Sequence, residues 1–248
     1  MLSSLAVFAI SAIAATAAQA LNRGPYYRVE GPRLKVTESQ EIINASTNAA
    51  GFVLKAGTVE VKCTTISVAG KITGSNGYNN SGSVETITFG GCTVTGNGTG
   101  CTVENGTVKT EPLVNNLGFE VAARTGKILV VFEPESGTSF ATIKFTAGTG
   151  CTLATIGVEP KNSRGGVCGE AWKGGAAITV NAEPVEGKVG QINFPAGGIT
   201  TAFVEAAGAL AEVKCGLVIS GGTAATLTGL SSFELFGTPK WGIYTTPL

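Results

Sequence analysis

Apolar and polar residues alternate along much of this chain with a period of two residues. In residues 59–63 (VEVKC), Val59, Val61 and Cys63 fall on one face and the two charged residues fall on the other, as in a strand with one buried face. Residues 211–215 (AEVKC) repeat this pattern. A continuous apolar run at residues 127–132 (KILVVF) is fit for a central strand, and further strands are predicted at 139–146 and 176–182.

Short segments rich in glycine, asparagine and proline separate these apolar runs and predict turns. The only stretch that suggests a helix is 202–212 (AFVEAAGALAE), and Gly208 interrupts it. The pattern therefore predicts an all-β fold, a β-sandwich or layered antiparallel sheets stapled by disulfides. We expect one large domain over residues 21–248, or alternatively two β subdomains that divide near residues 160–175.

The composition removes several classes of function. Among 248 residues there is no histidine, the 17 acidic residues are all glutamate, and the 17 basic residues balance them. Without histidine or aspartate, a Ser-His-Asp or Cys-His centre is excluded, and the usual metal sites lack their ligands. The neutral net charge gives no field that would attract nucleic acid. We therefore expect a protein that is not an enzyme, binds no cofactor or metal, and has no nucleic-acid partner.

The first twenty residues, MLSSLAVFAISAIAATAAQA, are apolar and small and end in an Ala-Gln-Ala site. This pattern predicts a secretory signal peptide over residues 1–20, although no basic residue precedes its apolar core. The mature chain would begin at Leu21 and contains no second apolar stretch long enough to span a membrane. We expect the protein to be secreted or held at the cell surface.

Six cysteines fit an oxidising compartment, and their even number predicts three disulfides. Cys92 and Cys101 flank a turn rich in glycine, asparagine and threonine, so a stapled hairpin with a Cys92–Cys101 bridge is predicted first. The remaining bridges would then join distant strands. The predicted pairs are Cys63 with Cys151 and Cys168 with Cys215.

A succession of short segments resembles a group of exported β-rich proteins that are abundant in soil actinobacteria of the Solirubrobacter kind. The segments that carry the resemblance are 61–63 (VKC), 86–93 (TITFGGCT), 132–146 (FEPESGTSFATIKFT), 224–229 (AATLTG) and 240–242 (KWG). The resemblance implies a secreted or wall-associated β protein. It brings no established activity and no site residues.

Few residues suggest a site. Glu133 and Glu135 could act as the acid and base of a glycosidase, and so could Glu183 and Glu186, but close glutamates in a turn are more often solvated. Trp172, in the polar stretch GEAWKGG, is a candidate glycan contact because an indole ring stacks on sugar C–H surfaces.

Trp241 is expected in the core. The leading interpretation is a structural or adhesive surface protein that self-associates or contacts cell-wall polysaccharide. A carbohydrate-binding module and a glutamate-dependent hydrolase are the alternatives.

Overall fold

The computed structural model describes residues 24–45, 51–74, 81–98, 100–162, 165–182, 186–206 and 209–245. The predicted signal peptide at residues 1–20 lies outside these ranges. Within them the chain forms strands, one 3-10 turn at Glu104–Gly106 and no α-helix, so the predicted all-β, disulfide-stapled fold is confirmed.

The strands are β1 Tyr26–Val29, β2 Ser39–Ala45, β3 Phe52–Ala56, β4 Val59–Cys63, β5 Thr65–Thr73, β6 Ser81–Gly90, β7 Thr93–Gly96, β8 Cys101–Val103, β9 Thr107–Thr110, β10 Leu113–Val121, β11 Thr125–Pro134, β12 Ala141–Ile143, β13 Phe145–Ala147, β14 Ile156–Pro160, β15 Gly165–Lys173, β16 Ala176–Ala177, β17 Val189–Phe194, β18 Thr201–Ala206, β19 Ala209–Cys215, β20 Leu217–Ile219, β21 Thr223–Leu235 and β22 Trp241–Tyr244.

Eight of these strands hydrogen-bond into a closed antiparallel ring. Their order is β2, β5, β6, β10, β11, β15, β17 and β21, and β21 pairs with β2 to complete the circuit. Alternate side chains point inward and fill the interior. Because opposite walls of the ring face each other across this apolar core, the arrangement is layered.

A second group of strands continues beyond one end of the ring. The long strands β5, β6 and β21 extend into it, and β21 pairs there with β3 on one side and β20 on the other. Through β20, β14, β12 and β9 the sheet returns to β6. One continuous apolar core runs through both parts, with Phe132 against Phe194 in the ring and Phe52 against Phe89 beyond it.

The opposite end of the ring is covered by the antiparallel pair β1–β22. Trp241 in β22 is buried, as predicted, and its backbone exchanges two hydrogen bonds with Gly187 just before β17. Its indole Nε1 donates to the carbonyl of Lys188 at 3.1 Å. The indole therefore helps to close this end of the ring.

The stretch 202–212, the only one that suggested a helix, contributes to both strands of a hairpin of β18 and β19 that packs on the outside of the ring. The two strands pair from Thr201 and Lys214 to Ala206 and Ala209, because alternate residues such as Ala202 and Val204 bury one face of the hairpin. That face covers the outward side chains of β11 and β15 in a small second core. The apolar run at 127–132 is thus buried on both faces.

All six cysteines form disulfides, but two of the three predicted pairings are wrong. The bridges are Cys63–Cys92, Cys101–Cys151 and Cys168–Cys215, and only the last was predicted. The turn after β7 does not close a hairpin, since β7 pairs with β4 and β8 pairs with β13. Cys92 and Cys101 therefore belong to different sheets and meet different partners.

Candidate functional site

Trp172 lies near the end of β15, in a strand rather than in the turn that its polar neighbours suggested. Glu170 is two residues earlier and shares its outward face. Across the sheet, β17 places Asn193 opposite Glu170 and Gln191 opposite Trp172. On the other side, Lys127 of β11 reaches the same face. These five side chains are called the Trp172 cluster.

Glu170 is the centre of the Trp172 cluster. Its Oε1 accepts from Lys127 Nζ at 2.5 Å, and its Oε2 accepts from Trp172 Nε1 at 2.8 Å and from Asn193 Nδ2 at 3.1 Å. The residue is only 6% exposed. Burial alone would raise the pKa of this carboxyl, but the three hydrogen bonds together with the charge of Lys127 outweigh it and hold the pKa below its usual value. Glu170 is therefore a fixed anion at neutral pH.

Lys127 supplies the positive charge of the cluster. The hydrogen bond to Glu170 is the main cause that raises the pKa of this ammonium group, and its partial desolvation opposes the shift. A second carboxylate, Glu120, lies 3.9 Å from the same nitrogen and also accepts from the Lys127 backbone N–H. Lys127 therefore stays protonated and ties β10 to β15 across β11.

Trp172 is half-buried, and its orientation is set by the hydrogen bond to Glu170. This hydrogen bond restricts the rotation of the indole ring. Gln191 is held similarly, because its Nε2 donates to Ser232 Oγ at 3.2 Å. The cluster thus combines an aromatic ring with amide and charged groups in fixed positions on an outer wall, chemistry that suits a polyhydroxylated ligand.

The hairpin of β18 and β19 bounds this site. It covers the Cys168 end of β15, whereas Trp172 near the other end is half-buried. At its border, Arg124 Nη2 donates to Glu205 Oε1 at 3.0 Å. Glu205 is 4% exposed, and burial is the main cause that raises its pKa, although Arg124 opposes the shift. A charged pair therefore fixes the tip of the hairpin beside the cluster.

The glutamates singled out as a catalytic pair have separate surroundings. Glu133 is half-buried on β11 and accepts from Asn116 Nδ2 at 3.0 Å. Burial raises the pKa of Glu133, and the hydrogen bond opposes this effect. Glu135 lies beyond the strand and is exposed. Of the other predicted pair, Glu186 lies 3.7 Å from Arg28, and Glu183 lies outside the described residues.

The sequence pointed to Trp172 but not to its partners. Alternation over residues 168–172 (CGEAW) already places Cys168, Glu170 and Trp172 on one face, and this signal could have identified Glu170. Lys127 and Asn193 come from distant strands, and only the pairing of β15 with β11 and β17 places them beside Trp172. Their position beside Trp172 depends on which strands pair, and the local sequence pattern does not encode strand pairing.

No group of three or more cysteine or glutamate side chains in the described ranges is arranged to hold a metal ion. Among those same residues there is also no helix with the length and apolar character needed to cross a membrane. Comparison with protein-family models, with curated proteins and with solved structures finds no match to this chain.

Proposed function

We propose that this chain is an exported adhesive protein of the cell surface, which attaches to cell-wall polysaccharide through the Trp172 cluster. The observation that carries the proposal is the hydrogen bond from Trp172 to the buried Glu170, which fixes a half-buried indole on the outer wall of the fold. A fixed aromatic ring loses little conformational entropy when it stacks on a sugar. The neighbouring amides of Gln191 and Asn193 supply polar contacts for hydroxyl groups.

Two properties of the chain support an extracellular polymer as the partner. Three disulfides are typical of proteins in oxidising compartments, in agreement with the predicted export signal. The balanced net charge favours a neutral ligand over a highly charged one. Adhesion through side chains on a rigid wall does not require the protein to catalyse a reaction.

Co-sedimentation with insoluble cell-wall polysaccharide tests this function. The purified protein should pellet with the wall material and stay in solution when it is spun alone. Trp172→Ala should lose about tenfold in retention, if a sugar stacked on the indole gains as much as a stacked nucleic-acid base, for which an aromatic side chain contributes roughly 1–3 kcal/mol. The matched control is Phe236→Ala, which removes an aromatic side chain that is 63% exposed outside the cluster. Wild-type protein that never pellets with the wall would end the proposal.

Self-association is the second candidate, and a different surface favours it. Phe236 is 63% exposed and Ile43 is 44% exposed. Their segments are adjacent, because the Phe236 N–H donates at 2.8 Å to the carbonyl of Glu41 on β2, two residues before Ile43. Exposed apolar side chains on adjacent segments are of the kind that joins copies of a protein.

Analytical ultracentrifugation over a range of concentrations distinguishes this candidate from wall binding. Assembly through Phe236 and Ile43 predicts a concentration-dependent increase in mass that Phe236→Ala reduces and Trp172→Ala leaves unchanged. A protein that stays monomeric at high concentration would remove self-association from consideration.

A further inference from the structure

The closed ring contains an internal cavity of about 50 Å³. Its lining is almost wholly apolar and comes from inward side chains of several ring strands together with the covering strand β22. Typical lining residues are Ile72, Val130, Phe194, Phe233 and Trp241. Rings of eight strands are just wide enough to be filled by side chains or to hold one small ligand. A residual cavity at this position is therefore a candidate ligand site.

Ser231 is the polar group inside this cavity that lacks a partner. It lies on β21 between inward-facing neighbours, lines the cavity, and is only 1% exposed. Its Oγ is buried and has no hydrogen-bond partner among the described residues. Because an unpaired buried hydroxyl costs free energy, each such group requires an explanation. A ligand oxygen in the cavity would pair with it.

A second cavity of about 320 Å³ lies against the first at the covered end of the ring. Lys173, Ile178 and Ile243 line both cavities, so the two are neighbours. The outer cavity lies between the turn that joins β15 to β16 and the strand β22, and small residues such as Ala177 form part of its wall. Its volume falls within the range of small-molecule pockets.

We propose that the ring binds a neutral apolar molecule with one oxygen at its end, such as a medium-chain alcohol or ketone. The oxygen pairs with Ser231 Oγ in the inner cavity, which has space for only a few heavy atoms. The hydrocarbon chain lies in the outer cavity against Ile178 and Ile243. The inner cavity lies behind the wall that carries the Trp172 cluster, and Trp172 and Gln191 are also among its lining residues. The two sites differ in that only the cavity uses Ser231.

Titration of the purified full chain with four eight-carbon probes tests the proposal. The probes are 1-octanol, 2-octanone, octane and sodium octanoate, and binding is followed by the fluorescence of Trp241, which lines the inner cavity. A Trp172→Phe background leaves Trp241 as the sole tryptophan, because the chain has only two, and it keeps an aromatic ring at a position that also lines the inner cavity. We expect octanol and octanone to bind more tightly than octane.

Two variants test which cavity holds the ligand oxygen and which holds its hydrocarbon chain. Ser231→Ala should weaken octanol and octanone roughly five- to tenfold, the effect of one lost hydrogen bond, while octane binding is unchanged. The variant removes an unpaired hydroxyl, so its thermal stability should be equal to that of the wild type or higher. Ala177→Phe should fill the outer cavity and abolish binding of all the probes.

The proposal fails if no probe changes the fluorescence, or if Ser231→Ala weakens octane as much as octanol. Tighter binding of octanoate than of octanol would place a charged head group near Lys173 and overturn the proposed orientation. Binding that persists in Ala177→Phe would overturn the assignment of the outer cavity. Ser231→Ala and Ala177→Phe should both leave co-sedimentation with wall polysaccharide unchanged, because neither residue belongs to the Trp172 cluster.

Discussion

Replacing Cys92 by alanine releases one thiol, and the identity of that thiol tests the topology of the fold. Cys63 ends β4, and Cys92 lies between β6 and β7. The Cys63–Cys92 bridge therefore joins the β3–β4 hairpin to the end of the β5–β6 pair at which Thr65 lies opposite Gly90. There the Thr64 N–H also donates to the carbonyl of Gly90 at 2.9 Å. In Cys92→Ala the free thiol should be Cys63.

The expected loss of stability follows from the length of chain that the bridge closes. Its cysteines are 29 residues apart, for which the chain-entropy relation gives about 3.6 kcal/mol at 25 °C. In a domain of this size, each kcal/mol lowers the melting temperature by about 2–4 °C, so a fall of roughly 7–14 °C is expected. A short Cys92–Cys101 hairpin would give about 2–3 kcal/mol by the same relation. These ranges lie close together, so the thiol assignment is the decisive result.

The assay alkylates the unfolded, unreduced variant at mildly acidic pH, which suppresses disulfide exchange, and locates the label by peptide mass spectrometry. Label on Cys101 would refute the pairing and with it the separation of β7 and β8 into different sheets. Cys215→Ala is the matched control, because its expected free thiol, Cys168, is the same under both pairings.

Three further substitutions test the packing and the buried charges. Glu170→Gln should cost about 1–3 kcal/mol at pH 7. Because the folded pKa of Glu170 lies below 4.5, the carboxylate's contribution is present above that pH and is lost as the pH falls through the folded pKa, so denaturation curves of the two proteins should converge in acid. Arg124→Leu should cost about 3 kcal/mol at pH 7, because it leaves Glu205 buried without its partner. The raised pKa of Glu205 makes its ionised form unfavourable, so the loss should be smaller at pH 4 than at pH 7, and an equal loss at both would contradict the buried-charge explanation. Gly190→Ala should cost about 1–3 kcal/mol in thermal unfolding, because its Cβ would lie 2.3 Å from an indole carbon, whereas Gly197→Ala, with no atom within 4 Å, should be neutral.

The sequence pattern predicted individual strands well, since each depends on neighbouring residues. The alternation in 59–63 corresponds to β4, with Val61 and Cys63 buried and Lys62 exposed. The pattern could not show which strands pair, because alternation is the same in a sandwich and in a closed ring. For that reason Glu170 and its partners from β11 and β17 were not brought together before the fold was known.

The helix signal at 202–212 was misleading for a related reason. Alanine and glutamate favour helices locally, yet β18 and β19 form because their alternate residues cover the outer face of β11 and β15 and because Cys215 is bridged to Cys168. Tertiary burial outweighed local propensity. The same burial accounts for the continuous apolar run at 127–132, whose outward side chains would otherwise face water.

Closure of the ring also changes how adhesion would work. Exposed strand edges are one route by which β proteins self-associate. Each of the eight ring strands, however, has a hydrogen-bonded neighbour on both sides, so the ring offers no edge to a second chain. Contacts made by the ring must therefore come from side chains on its outer wall. On that wall, Trp172 offers an aromatic surface whose orientation is fixed from within by Glu170. The β18–β19 hairpin covers the Cys168 end of β15. The adhesive proposal therefore assigns the contact to the Trp172 end.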